Sequence, residues 1–230
     1  MPELAMVAAL EREVWPLIRR WRVADREYGG KNIRFFEAEG SVVVCGGIGG
    51  EAARRATEAV IALYHPSMIL SVGFAGALNG SLRVGDVLEA RYVVDARDGS
   101  RTDTGSGAGV LVSSPSVAGA EQKAKLGKSY GAQAVDMESA AVARGAEARG
   151  VRFGAIKVIS DESGFPMPPM DRFVSADGSF RSGSFVLYAA GRPWVWPTIF
   201  RLTRNTARAA EKLCARLAGE NVFSVSAKVS

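Results

Sequence analysis

Apolar positions in this chain come in short runs that alternate with stretches of helical spacing, the pattern of an α/β protein. Residues 4–10 are a short apolar run, followed by Glu11-Arg12-Glu13 and then by Trp15, Leu17, Ile18 and Trp21, so a buried strand is expected to feed a helix. Residues 33–36 and 41–45 look like paired strands about Glu39-Gly40. Residues 51–64 place Ala52, Ala56, Ala59, Val60 and Leu63 on one helical face. A β-rich run, 68–72, ends at Gly73, and 84–94 is long and β-branched enough for one or two strands. Further strands are expected at 110–112, 134–137 and 153–159, with helices from about Ala118 and from Glu138. The stretch Asp-Gly-Ser-Arg-Thr-Asp-Thr-Gly-Ser-Gly-Ala-Gly, residues 98–109, has no apolar side chain large enough to pack and predicts a mobile loop. No repeat or linker interrupts the pattern, so residues 1–230 are expected to form a single domain around a mixed sheet, with ligands at the carboxyl ends of its strands.

Composition narrows the chemistry. With 47% apolar residues the 230-residue chain can bury one substantial core. A net charge of +5 could favour anionic partners, but so mild an excess identifies none. Cys45 and Cys214 lie far apart and neither belongs to a Cys-x-x-Cys pair, so a disulfide framework or zinc knuckle has little support and a reduced cytoplasm fits best. The start, Met-Pro-Glu-Leu-Ala-Met-Val, has no basic segment before its apolar run and does not fit a secretory signal, and no run approaches the ~20 apolar residues of a membrane span. The single histidine, His65, precedes Pro66 at an expected helix end. Ser-His-Asp triads and multi-histidine metal sites are therefore excluded, and carboxylates, amides and hydroxyls must carry any catalysis.

Four segments stand at or just beyond expected strand ends: Ala-Leu-Glu-Arg-Glu-Val at 9–14, Gly-Phe-Ala-Gly-Ala-Leu at 73–78, Val-Asp-Met-Glu-Ser-Ala-Ala at 135–141 and Lys-Val-Ile-Ser-Asp-Glu-Ser at 157–163. In this order they resemble the superfamily of purine nucleoside phosphorylases and methylthioadenosine/S-adenosylhomocysteine nucleosidases. The resemblance implies a nucleoside phosphorylase-like three-layer α/β fold, a central mixed β-sheet flanked by helices, that breaks N-glycosidic bonds without metal or organic cofactor. It makes Glu13 the base that deprotonates the attacking water, leaving Glu11 facing solvent. Asp161 becomes the acid at N7 of the leaving purine, since adenine leaves poorly as an anion. An ordinary Asp has a pKa of about 3.9, so staying protonated near neutrality would need a shift of about three units, or ~4 kcal/mol. Sharing a proton with the purine is easier. Glu138 would accept hydrogen bonds from the ribose hydroxyls with Met137 packing on the sugar, and Phe74, Ala75, Gly76 and Ser160 complete the substrate-binding set.

Each of these residues also has a plain structural reading: a surface Glu13 paired with an arginine, Glu138 in a helix's first turn, Asp161 as a cap or turn residue. Ser71 and Phe74 stand where phosphorylases of the superfamily carry an arginine and a Ser or Thr, and a carboxylate at Glu13 would repel a phosphate dianion, so hydrolysis is the better expectation. Phe74 also departs from the serine usual in methylthioadenosine nucleosidases. Gly47-Ile48-Gly49 with Ala52 loosely matches a dinucleotide fingerprint, but residues 69–72 offer no acid for the ribose, so a glycine turn entering a helix is the simpler account.

Beyond Gly164 the chain, with its Gly-Arg-Pro step and its Arg-Leu-Thr-Arg-Asn-Thr-Ala-Arg-Ala-Ala helix, resembles the hopanoid-associated branch of the superfamily. That branch is expected to release adenine from adenosylhopane, which implies an apolar 5′ substituent. Residues 180–217 mix Trp and Phe with arginines and are expected to form the apolar mouth of the site and to touch a membrane surface transiently, with a terminal helix packed on the sheet as the plainer alternative. The family implies a homodimer acting on a small nucleoside, not on nucleic acid. Phosphorolysis, a methylthioadenosine substrate, or a non-catalytic lipid- or nucleic-acid-binding domain are the alternatives.

Overall fold

The computed structural model describes residues 2–175 and 177–219. In chain order they form β1 (Leu4–Ala8), α1 (Glu11–Ile18), β2 (Arg22–Tyr28), β3 (Lys31–Ala38), β4 (Ser41–Cys45), α2 (Gly50–Tyr64), β5 (Met68–Ala77), β6 (Val87–Glu89), β7 (Tyr92–Asp95), β8 (Arg101–Asp103) and β9 (Val110–Ser113). Then come α3 (Ala120–Tyr130), β10 (Ala134–Asp136), α4 (Ser139–Glu147), β11 (Arg152–Asp161), α5 (Ser182–Ala190) and α6 (Trp196–Leu217).

All eleven strands share one mixed sheet in the order β2-β3-β4-β1-β5-β10-β9-β7-β8, with β11 on β5 and β6 on β11. Alternation along β1 sends Ala5 and Val7 toward α2 and α4, and Leu4, Met6 and Ala8 toward α1 and α6. Helices thus cover both faces, and a side chain such as Leu213, fully buried on the α6 side, contributes about 2 kcal/mol of hydrophobic stabilisation.

The long strand β5 divides the sheet. Its first half pairs in parallel with β1 (Leu4↔Met68 to Val7↔Ser71), while its end pairs antiparallel with β10 (Val135↔Gly76). On its other side it pairs with β11 from Met68 to Gly76. The carboxyl ends of β1 and β10 therefore run toward each other and meet beside the middle of β5. Backbone groups freed at such a meeting can face a ligand.

Several expectations need correction. The strand expected to stop at Gly73 continues to Ala77, because β11 supplies a parallel ladder partner to this glycine-rich stretch (Lys157↔Gly73, Val158↔Phe74). Residues 98–109 are not a loop throughout: Arg101–Asp103 pairs antiparallel with β7, and Arg101 lies over the Tyr92 ring at 3.5 Å, so ladder bonds hold it without apolar burial. The helix expected to include Trp21 ends at Ile18, and Trp15 faces solvent. His65 caps α2 in a left-handed conformation, φ 49°, away from any chemistry.

Candidate active site

At this meeting point lies a cavity of about 180 Å³ lined by all eight residues expected to bind or act: Glu13, Phe74, Ala75, Gly76, Met137, Glu138, Ser160 and Asp161. Four elements deliver them. The first turn of α1 brings Glu13, whose Oε2 accepts the Ala9 and Leu10 amides at 3.1 and 3.3 Å. The carboxylate thus caps its own helix and is not the surface ion-pair partner of the plain reading; it is buried. Burial raises its pKa against the opposing pull of Lys157 and these amides, which makes it a better base than an exposed glutamate. Glu11, by contrast, is half exposed, 3.7 Å from Arg34.

Glu138 stands between β10 and α4. Its Oε1 accepts the Gly49 amide at 2.7 Å and its Oε2 the Met137 amide at 3.2 Å, so the glycine turn before α2 serves to hold this carboxylate. Burial, and then repulsion from Asp136, push its pKa up to about 7. Beneath it Lys157, fully enclosed in β11, lies 3.0 Å from Asp136. Burial alone would lower that lysine's pKa, but Asp136, Glu138 and Glu13 together hold it above its usual value. Asp136 is itself fixed by Ser113 and Ser139 hydroxyls, each donating at 2.6 Å.

Asp161 ends β11 beside Ser160, whose hydroxyl donates to its Oδ1 at 2.7 Å. On its other oxygen it accepts from Lys123 of α3. Both carboxylate oxygens are thus already engaged by donors, one of them a buried ammonium. The remaining walls are mostly apolar, with Ile48, Met167, Met170, Val174, Phe180 and Leu202 beside the hydroxyl-bearing Ser116 and Thr206, and Arg12 at the rim, 6.0 Å from the Phe180 ring. Ser71 does not line the cavity and accepts a hydrogen bond from Ser139 at 2.9 Å. None of residues 98–109 lines it either.

The family model described as the phosphorylase superfamily matches residues 3–121 and 106–171. The chain belongs to the phosphorylase superfamily. Among superfamily relatives, a 5′-methylthioadenosine/S-adenosylhomocysteine nucleosidase from Staphylococcus carnosus is 33% identical over 97 residues, 39% of this chain and 42% of that protein, so the match spans less than half of the relative's length. The fold matches that of the Neisseria meningitidis 5′-methylthioadenosine/S-adenosylhomocysteine nucleosidase in complex with methylthio-immucillin-A, with a TM-score of 0.68 and 20% identity over 95% of this chain and 97% of the other. It also matches futalosine hydrolase of Helicobacter pylori, with a TM-score of 0.65 and 19% identity over 94% and 97% of the two chains. At such identities these likenesses establish the single-domain α/β fold.

Sequence reasoning missed Lys123, Lys157 and Asp136. A lysine inside the apolar run Phe-Gly-Ala-Ile-Lys-Val-Ile is a readable signal, because a charge there must find a buried partner. Lys123 carries no such mark, since it sits on a polar helix among Glu121, Lys125 and Lys128.

Proposed function

We propose that this protein is an adenine nucleosidase that attacks C1′ of a nucleoside with water, through an oxocarbenium-like transition state. The observation that carries this reading is the convergence of Glu13, Glu138 and Asp161 on one cavity: a base, a diol acceptor and a proton-relaying group on different sides of the space a nucleoside would fill. Water is favoured over phosphate because Glu13, Asp136, Glu138 and Asp161 all border the cavity, and a dianion beside them would be repelled. Arg12 and Lys123 are the cations that border it, and Lys123 is engaged by Asp161.

The apolar wall from Met167 to Leu202 supports an apolar 5′ substituent. Together with the resemblance of the C-terminal segment it favours adenosylhopane, in hopanoid biosynthesis, over methylthioadenosine. A cytoplasmic homodimer that touches the membrane surface transiently belongs to the same proposal.

The test is adenine release from adenosine derivatives carrying methylthio, homocysteinyl or long apolar 5′ groups, with sugar products followed by phosphorus NMR in phosphate buffer. Adenine and a sugar with a free anomeric hydroxyl are expected, with the long apolar group preferred and turnover at least ~10²-fold lower in Glu13→Gln. A sugar 1-phosphate as main product refutes the hydrolytic mechanism.

A further inference from the structure

The proposed chemistry gives no role to Lys123, which is paired with Asp161 at the cavity. Lys123 comes from the first turns of α3, and its side chain is 2% exposed. Its Nζ donates to Asp161 Oδ2 and, at 2.9 Å, to the Glu162 carbonyl oxygen. Gly76 makes room for it: a Cβ there would lie 3.0 Å from both Nζ and Asp161 Oδ2, and 2.9 Å from Lys123 Cε. With Ser160 on Oδ1, both carboxylate oxygens already accept a hydrogen bond.

The carboxylate thus accepts a donor at each oxygen, while the purine needs a proton to leave as a neutral molecule. The other charged groups near Lys123 are poor sources. Glu121 and Lys125 on α3 pair with each other at 2.7 Å in solvent, Asp136 and Lys157 hold each other under the ribose side, and the Arg12 guanidinium lies at the rim, 6.0 Å from the Phe180 ring. Asp171, near the start of α3, accepts the Val117 amide. Besides the Ser160 hydroxyl, Lys123 is the proton donor in contact with Asp161.

We propose that Lys123 is the proton source for base departure, acting through Asp161; this rests on the nucleosidase reading above. In the step, a Lys123 Nζ–H bond breaks as Asp161 Oδ2–H forms. That proton passes to N7 of the purine while the C1′–N9 bonding pair moves into the ring, so adenine leaves neutral. Water adds to C1′ and gives its proton to Glu13. Turnover leaves Lys123 as the amine and Glu13 as the acid, and solvent returns the proton from Glu13 to Lys123. Lys123 is thus a positioning and proton-supplying residue, with Asp161 the group that touches the base.

The experiment compares wild type, Lys123→Met and Lys123→Arg, each checked for native circular dichroism, on two ribosides with the same 5′ group. One carries adenine, the other 4-nitrophenol, whose anion departs unprotonated. In both variants adenine release should fall at least ~10²-fold and nitrophenolate release less than about tenfold. The alkaline limb of the kcat/KM profile for adenine release should also move to lower pH in Lys123→Met, because Asp161 must then take its proton from solvent. Lys123→Gln, which still donates a hydrogen bond, replaces Met if that variant does not fold. Restored adenine release in Lys123→Arg, which keeps the charge but not the labile proton, overturns the proposal. Equal losses on both leaving groups in a folded variant overturn it too. A wild type that frees neither leaving group overturns the nucleosidase reading instead, and the proposal with it.

Discussion

Glu138 shows how much a single buried carboxylate can affect the whole chain. Burial and then Asp136 raise its pKa from 4.5 to about 7, against the pull of Lys157 and the Gly49 amide. Between those two values the native state binds more protons at this group than the unfolded chain does, so stability falls as pH rises through that window. Below it the contribution is fully present. Glu138→Gln removes the ionisation, so the variant should gain stability relative to wild type between about pH 5 and about pH 8, by an upper bound on the order of 3 kcal/mol. Urea unfolding of both proteins at the two pH values measures this. A difference between them that does not change with pH would mean that Glu138 ionises as freely in the fold as in solution.

At the scale of elements, β5 decides whether the site can form. Gly73 adopts φ 140°, and a Cβ there would lie 2.8 Å from Glu13 Oε2. Gly73→Ala must therefore strain the strand and push the base out of position. Adenine release should fall about 10²-fold, with a stability loss of about 1–3 kcal/mol. Gly80→Ala is the control, because nothing lies within 4 Å of a Cβ there. Comparable rates for the two variants would show that Glu13 tolerates displacement. In the sequence, residues 73–78 stand at or just beyond an expected strand end. The glycines among them are strand residues whose missing side chains admit Glu13 on one flank and the Lys123–Asp161 pair on another.

At the scale of the whole molecule, the C-terminal segment has two roles. Ala209, Ala210, Leu213, Cys214 and Leu217 of α6 are buried, as the plain packing alternative expects, while Phe180 and Leu202 reach the cavity. Phe185 and Tyr188 pack on Phe173 at 5.3 Å and are not part of the outer surface cluster. Leu187 and Trp194 remain 77% and 71% exposed, with Val186, Trp196 and Phe200 also outward and Arg181, Arg192, Arg201 and Arg204 beside them in the chain. Among the described residues no helix is long and apolar enough to cross a membrane, so any contact with one through these helices is interfacial. Tryptophan beside arginine suits the headgroup layer, and each arginine adds only about 1 kcal/mol at an anionic surface. Liposome flotation should therefore show weak binding that needs anionic lipid, falls with salt and is lost in Trp194→Ala/Trp196→Ala. Equal flotation of wild type and variant would leave these side chains without a lipid role.

The apolar periodicity by itself determined the α/β class, the placement of β1, β4, β9, β10 and β11 and of α2 to α4, because burial demands a repeating apolar face wherever an element packs. It missed β2 and β8, which are polar edge or near-edge pieces held by ladder hydrogen bonds that leave no apolar trace. The three carboxylates were legible because each stands at a strand end or helix start, within short segments of recognisable order. Their charge partners were not. Lys123 on α3 meets Asp161 across 38 positions of chain, and Lys157 meets Asp136 between neighbouring parts of a divided sheet. Such pairings depend on which strands become neighbours, and only the tertiary structure decides that.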